Sequence, residues 1–310
     1  MCVTCGCGNT EEVTLSLHEH DDQEKKTGRL YKRAQPQEHV HADGTRHTHT
    51  HDDHSHEHEH THADGTRHSH SHPSDLSVPD TLSVPGRDAH TIQLEAQILG
   101  KNQLLAERNR GWLAGRGIFA LNLVSSPGAG KTTLLERTLG DLKAEIKIGV
   151  VEGDQATSND AQRIRATGVP AVQINTGTGC HLEADMLERA LTLLKPEQNS
   201  LLLIENVGNL VCPALFDLGE KAKVVIFSVT EGEDKPLKYP HMFSAASVLI
   251  LSKMDLLPHV RFDVDLAIKN ALTVNPKLKV FQLSSYTGAG MAQWYDWLKS
   301  ELTVCAESVS

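Results

Sequence analysis

The segment Ser125-Ser126-Pro127-Gly128-Ala129-Gly130-Lys131-Thr132 lies between an apolar run, Ile118 to Val124, and a stretch of helical periodicity beginning near Lys131. This setting constrains the fold most, because a glycine-rich turn from strand into helix aims backbone N–H groups and a helix dipole at an anion. Gly128 and Gly130 allow the backbone to turn inward, with Ala129 between them and Thr133 following the Lys131-Thr132 pair. In such a phosphate loop Lys131 reaches the β- and γ-phosphates and the Thr132 hydroxyl ligates Mg2+. Ser125 stands where the usual pattern has glycine, but the Gly-Lys-Thr core is intact. The competing reading is a tight turn that is merely glycine-rich.

The rest of the chain agrees with the nucleotide reading. An amphipathic helix carrying Ile92, Leu94, Ile98, Leu99, Leu104 and Leu105 precedes the first strand. Beyond the loop, Ile146 to Val151 reads as a strand, Glu152 to Asp160 as an acidic loop, and Ala161 to Ala166 as a short helix. Ala171 to Asn175 reads as a strand and Leu182 to Leu194 as a helix. The uniformly apolar Leu201 to Ile204 suits a central parallel strand, and Val224 to Val229, Val248 to Leu251 and Val280 to Leu283 supply three more. Strand–helix alternation predicts an α/β P-loop NTPase fold, a mainly parallel sheet flanked by helices, with ligands at the carboxyl ends of the strands.

Two further segments bear on the nucleotide. Ser252-Lys253-Met254-Asp255 follows an apolar strand, and a carboxylate at Asp255 would accept two hydrogen bonds from guanine while the Lys253 stem covers the ring. Adenine offers no such pair of donors. Ser252 replaces the usual asparagine of this motif. Asp154, and Glu205 at the end of the Leu201 run, stand where a Mg2+ ligand or water-positioning group is needed, so Lys131, Asp154 and Glu205 are the expected catalytic set. Ordinary solvated loop charge is the alternative. No glutamine or arginine in these loops stands out as water-orienting, so intrinsic GTP hydrolysis is expected to be slow.

The N-terminal quarter has another character. Fifteen of the nineteen histidines lie between His18 and His72, alternating with small or acidic residues, and the stretch holds almost no aliphatic clusters. Such a segment cannot bury enough apolar surface to offset ordering entropy, so residues 11–87 are expected to be disordered, leaving 1–10 as a short motif and 88–310 as one domain. Neutral imidazole suits nickel, zinc and copper. His39, His41, His47, His49, His51, His54, His56, His58, His60, His62, His68, His70 and His72 are therefore candidate storage ligands. The sequence from His41 to His47 returns 21 residues later as His62 to His68, and a duplicated inert spacer is the rival explanation.

A formal charge of -10 without a basic stripe excludes a general nucleic-acid or anionic-membrane binder. No apolar run is long enough to span a membrane and no signal pattern opens the chain, so a cytoplasmic location is expected. Three of six cysteines fall within the first seven residues, and Cys2, Cys5 and Cys7 could wrap a soft or borderline metal or do redox chemistry. Cys180-His181 and Cys212 form a second candidate, for which buried free cysteines are the bland alternative.

Taken together, Cys2-x-x-Cys5-Gly-Cys7, the histidine tract, Ser126 to Thr133, Cys180-His181 and Glu205-Asn206-Val207-Gly208-Asn209-Leu210-Val211-Cys212-Pro213 resemble the HypB family, GTPases that help insert nickel into nickel-iron hydrogenase. The resemblance implies a GTP-dependent homodimer, a tight nickel site at Cys2, Cys5 and Cys7, and a weaker nickel or zinc site at Cys180, His181 and Cys212. It also implies a HypA-type metallochaperone and the hydrogenase large-subunit precursor as partners. A urease-type relative would show Cys-Pro-His where Cys180 adjoins His181, and a partition-type ATPase would need a second lysine where Ser126 stands. A nickel or zinc storage protein with a vestigial nucleotide site is the third rival.

Overall fold

Apolar runs buried on both faces can be satisfied only by a sheet covered on two sides, and these runs build one. The structure, a computed structural model, describes residues 14–18, 37–40, 46–49, 58–61, 67–70, 89–154, 158–177 and 179–309, with side chains over 93–153, 162–177 and 179–309. Its strands are β1 (Thr14–His18), β2 (Gln37–Val40), β3 (Arg46–His49), β4 (His58–Thr61), β5 (Arg67–His70), β6 (Phe119–Ser125), β7 (Ile148–Asp154), β8 (Ala171–Asn175), β9 (Leu201–Glu205), β10 (Ala222–Ser228), β11 (Val248–Ser252) and β12 (Lys279–Gln282). Its α-helices are α1 (Ala89–Ala114), α2 (Lys131–Leu142), α3 (Ser158–Ala166), α4 (Ala184–Leu194), α5 (Cys212–Leu215), α6 (Lys235–Lys238), α7 (Pro240–Ala245), α8 (Val264–Val274) and α9 (Met291–Glu307).

The main sheet runs β1-β8-β7-β9-β6-β10-β11-β12. Seven strands are mutually parallel and β1 closes one edge antiparallel to β8. Residues alternate across the sheet as strand geometry requires. Leu121, Leu123, Leu201 and Leu203 pack with Leu135, Trp294 and Leu298 on one side. Ala120, Leu202 and Ile204 pack with Leu113, Leu187 and Leu191 on the other. A third cluster joins Val225, Phe227 and Leu251 to Met242, Phe243 and Ala267. Each fully buried leucine contributes roughly 1.5–3 kcal/mol of transfer free energy, so the sheet centre is rigid ground for a site.

Helix α1 acts as a brace. Asn109 Nδ2 donates to the carbonyls of Ala184 at 2.8 Å and Leu218 at 3.0 Å, while the Ala184 N–H donates to Asn102 Oδ1 at 2.9 Å. Arg110 pairs with Asp217. The start of α4, just past Cys180 and His181, is thereby fixed.

Several boundaries differ from the sequence expectation. β7 continues through Asp154, so Glu152 is a strand residue rather than a loop charge, and α3 begins at Ser158. Helix α4 starts at Ala184 rather than Leu182, and Cys180 and His181 precede it. Residues 11–87 contribute five short strands, the rest of that stretch lying outside the described residues. The duplicated segment gives two matched antiparallel pairs, β2 with β3 and β4 with β5. In both, histidine faces histidine across the pair: His39 opposite His47, and His60 opposite His68.

Candidate nucleotide and metal sites

Strand order changes direction around β6, and at the carboxyl ends of β6, β7 and β9 lies a cavity of about 470 Å3. It is lined by Gly128, Gly130, Lys131, Thr132, Thr133, Glu205 and Lys253 among others, so most of the expected nucleotide residues converge. Gly128 (φ 76°) and Gly130 (φ 95°) both use left-handed backbone, which explains glycine at those places. Lys131 Nζ donates to Glu205 Oε1 at 2.8 Å and Thr132 Oγ1 donates to the same oxygen at 2.7 Å. Glu205 is 3 % exposed, and its Oε2 is buried without a hydrogen-bond partner. That oxygen beside a hydroxyl is a donor set that fits a hard divalent cation. Asp154 ends β7, opposite Asn175; its side chain lies outside those described.

The base-reading loop leaves β11 with Lys253 in left-handed backbone (φ 58°). Lys253 Nζ donates to the Gly128 carbonyl at 2.7 Å, laying its stem across the phosphate loop. Ser252 Oγ donates to the Ala129 carbonyl at 2.7 Å, so a serine supplies the tie to the phosphate loop in asparagine's place. Asp255 accepts from Ser284 Oγ at 2.5 Å, which fixes one carboxylate oxygen. Asp255 itself is not part of the cavity lining.

Sequence reasoning missed two lining residues. Glu152, 2 % exposed, sits beside Glu205 in strand register, hidden by its reading as loop. Arg163 also lines the cavity, from α3 rather than from the loops in which no arginine stood out.

Cys180, His181 and Cys212 come together 30 residues of chain notwithstanding. Their ligand atoms all lie within 4.8 Å of one another, with Cys180 Sγ 3.1 Å from Cys212 Sγ and 3.5 Å from His181 Nδ1. Neither cysteine is engaged in a disulfide. The His181 ring stacks on Phe216 with centroids 4.0 Å apart, and its Nε2 lies 3.7 Å from Glu183 Oε1. His181 is the main cause holding the Glu183 carboxyl below the usual carboxylate range, against the opposing effect of burial. Two thiols and an imidazole suit zinc or nickel, and three protein ligands leave a coordination position open for exchange.

Residues 119–282 match the model of the CobW/HypB/UreG nucleotide-binding domain. The hydrogenase maturation factor HypB of Escherichia coli strain K12 is 58% identical over 210 residues, covering 68% of this chain and 72% of the relative. The chain belongs to the HypB family. The Rhizobium leguminosarum HypB is 59% identical over 217 residues, covering 70% and 73% of the two chains. Among solved structures, HypB of Archaeoglobus fulgidus superposes with a TM-score of 0.61 at 41% identity, covering 66% of this chain and 99% of that one. HypB of Helicobacter pylori, solved in complex with nickel, gives the same score and identity and covers 66% and 95%. Membership makes the chain a P-loop GTPase by class. Among the described residues no helix is long and apolar enough to cross a membrane.

In this HypB-family chain one loop serves both sites. From Glu205 the backbone runs past Gly208, where an added Cβ would stand 3.2 Å from Pro127 Cγ, so the loop packs directly on the phosphate loop. Asn206 Oδ1 accepts from the Leu182 N–H at 3.2 Å, beside His181, and Asn209 Nδ2 donates to the Cys180 carbonyl at 3.2 Å. The loop then delivers Cys212 as the first residue of α5. Cys2, Cys5 and Cys7, the other expected ligands, lie outside the described residues.

Proposed function

We propose that this chain is a GTP-hydrolysing nickel metallochaperone that delivers nickel for maturation of nickel-iron hydrogenase in the cytoplasm. One observation carries the reading: the loop from Glu205 to Cys212 begins on the phosphate-loop lysine and ends in a metal-binding thiol. Maturation-factor relatives and a nickel-bound homologue from Helicobacter pylori support the cargo.

Gly128, Ala129, Gly130, Lys131, Thr132 and Thr133 hold the phosphates, and Lys253 and Asp255 hold guanine. Thr132, Asp154 and Glu205 would hold Mg2+, which when bound neutralises developing phosphate charge. Lys131 and Thr132 both donate to Glu205. A triphosphate draws Lys131 away, frees Glu205 to turn toward the cation site, and so pulls on the loop bearing Cys212. Cargo nickel or zinc at Cys180, His181 and Cys212 then meets an altered ligand geometry. Two protomers associate in the GTP state, and hydrolysis releases metal to the next carrier, a HypA-type metallochaperone or the hydrogenase large-subunit precursor. Intrinsic turnover is slow, on the order of 10⁻² s⁻¹ or below, the range of GTPases that lack a partner's help. Cys2, Cys5 and Cys7 form the tight nickel site, and the histidine tract is a high-capacity reservoir.

Replacing Lys131 by Ala in cells tests this reading against a storage protein. Loss of hydrogenase maturation at normal cellular nickel content is expected; intact maturation would favour storage.

A further inference from the structure

Arg163 reaches the phosphate cavity from α3, an element that carries no part of the phosphate-loop or base-reading motifs. Its Nη2 donates to Thr133 Oγ1 at 3.2 Å and to Glu136 Oε2 at 2.6 Å, and its Nε donates to Glu136 Oε2 at 3.1 Å. Thr133 adjoins Thr132, so the guanidinium rests one residue from the hydroxyl that faces the cation site. Among the described lining residues the cations are Lys131, Lys253 and Arg163. Lys131 and Lys253 have assigned tasks at the phosphates and over the phosphate loop. Arg163 pairs with Glu136, and both partners of that pair are 40% exposed.

A half-exposed ion pair is weakly held, whereas a phosphate group offers a guanidinium two parallel charge-assisted hydrogen bonds and more negative charge. A phosphate in the cavity is therefore a better ligand for the Arg163 guanidinium than the exposed Glu136 carboxylate. We propose that Arg163 is a built-in catalytic arginine that leaves Glu136 when GTP binds and donates to γ-phosphate oxygens during hydrolysis. This rests on the GTPase reading above. In that reaction a water oxygen bonds to the γ-phosphorus as the bond to the bridging oxygen breaks, and that electron pair departs with GDP. The proton of water ends on inorganic phosphate, and Arg163 moves no proton. It stabilises charge on the equatorial oxygens and the leaving oxygen, the role an arginine supplies in cis in other GTPases. Glu136 serves as the resting place that keeps the guanidinium near the cavity.

The test compares wild type, Arg163→Ala, Arg163→Lys and Glu136→Gln in the full chain. GTP hydrolysis, GDP affinity and binding of GDP with aluminium fluoride, a mimic of the transferring phosphoryl group, are measured. Arg163→Ala is expected to lower kcat by about 100-fold with GDP affinity retained and the aluminium fluoride complex lost. Arg163→Lys, lacking the planar fork, is expected to stay at least tenfold slow, and Glu136→Gln to hydrolyse at the wild-type rate or faster. A kcat for Arg163→Ala within about threefold of wild type, a bound well above which lie the losses seen on removing such donors, overturns the proposal. So does a Glu136→Gln variant as slow as Arg163→Ala, which would make the pair a strut between α2 and α3. Wild-type protein that binds GTP without hydrolysing it would instead overturn the GTPase reading itself.

Discussion

The Asn209 side-chain amide donates to the Cys180 carbonyl at 3.2 Å, and its Oδ1 accepts from the Val211 N–H at 2.8 Å. One residue thus pins the loop leaving the phosphate cavity to the loop carrying a metal-ligand thiol. Asn209→Ala removes both bonds at a cost of about 0.5–1.5 kcal/mol each. Metal stoichiometry at the internal cluster should persist while the difference in nickel affinity between GDP and GTP-analogue forms shrinks. Calorimetric titration of the variant in both forms checks this; an unchanged difference would remove Asn209 from the coupling.

Ser252 ties β11 to the phosphate loop through the Ala129 carbonyl. Ser252→Ala leaves that carbonyl without its hydroxyl donor, so GDP affinity should fall by about tenfold while the melting temperature changes little. Fluorescent GDP titration measures it, and an unchanged Kd would show that the tie does not organise the loop.

Asp255 is oriented by Ser284, with one oxygen already engaged. In Asp255→Asn a donor replaces an acceptor facing the base. GTP affinity should fall roughly 10–100-fold, the range of a lost charged hydrogen bond, and xanthosine triphosphate should become the better ligand. A variant that still prefers GTP would show that guanine is read elsewhere.

The strands and the phosphate loop were legible in the sequence because each depends on local chemistry, apolar runs and glycines at positive φ, whereas the grouping of Cys212 with Cys180 and His181 rested on the family resemblance. Leu201–Glu205 and Ala171–Asn175 appear almost where periodicity put them. What was illegible depends on long-range pairing. Glu152 looked like solvated loop charge because Gly153 and Asp154 follow it, yet β7 extends between β8 and β9 and buries it. Arg163 had no motif around it; only the packing of α3 beside α2 brings it to the phosphates. Helices α8 and α9 were not anticipated, although Trp294 and Trp297 of α9 stack within the core with centroids 5.2 Å apart.

Asp141 links α2 to α9 by accepting from Arg137 and Tyr295, each at 2.7 Å. Burial would raise its pKa, but the Arg137 and Tyr295 hydrogen bonds outweigh that and hold the carboxyl below its usual range. Its folded pKa is thus below the unfolded value of about 3.9, so its contribution is full above that value and is lost as pH falls through the folded value. Because the carboxylate is largely solvated, Tyr295→Phe should cost no more than about 1 kcal/mol at pH 7. Urea melts should show this deficit narrowing below about pH 4; a deficit constant down to pH 2 would mean that Asp141 is not its source.

The central claim is that nucleotide state at the phosphate loop sets metal binding at Cys180, His181 and Cys212. Nickel affinity and release rate, measured on the protein loaded with GDP and then with a non-hydrolysable GTP analogue, test it most directly. The account predicts at least a fivefold difference, the lower end of ordinary site-to-site coupling. Equal affinities and equal release rates in the two forms would contradict it.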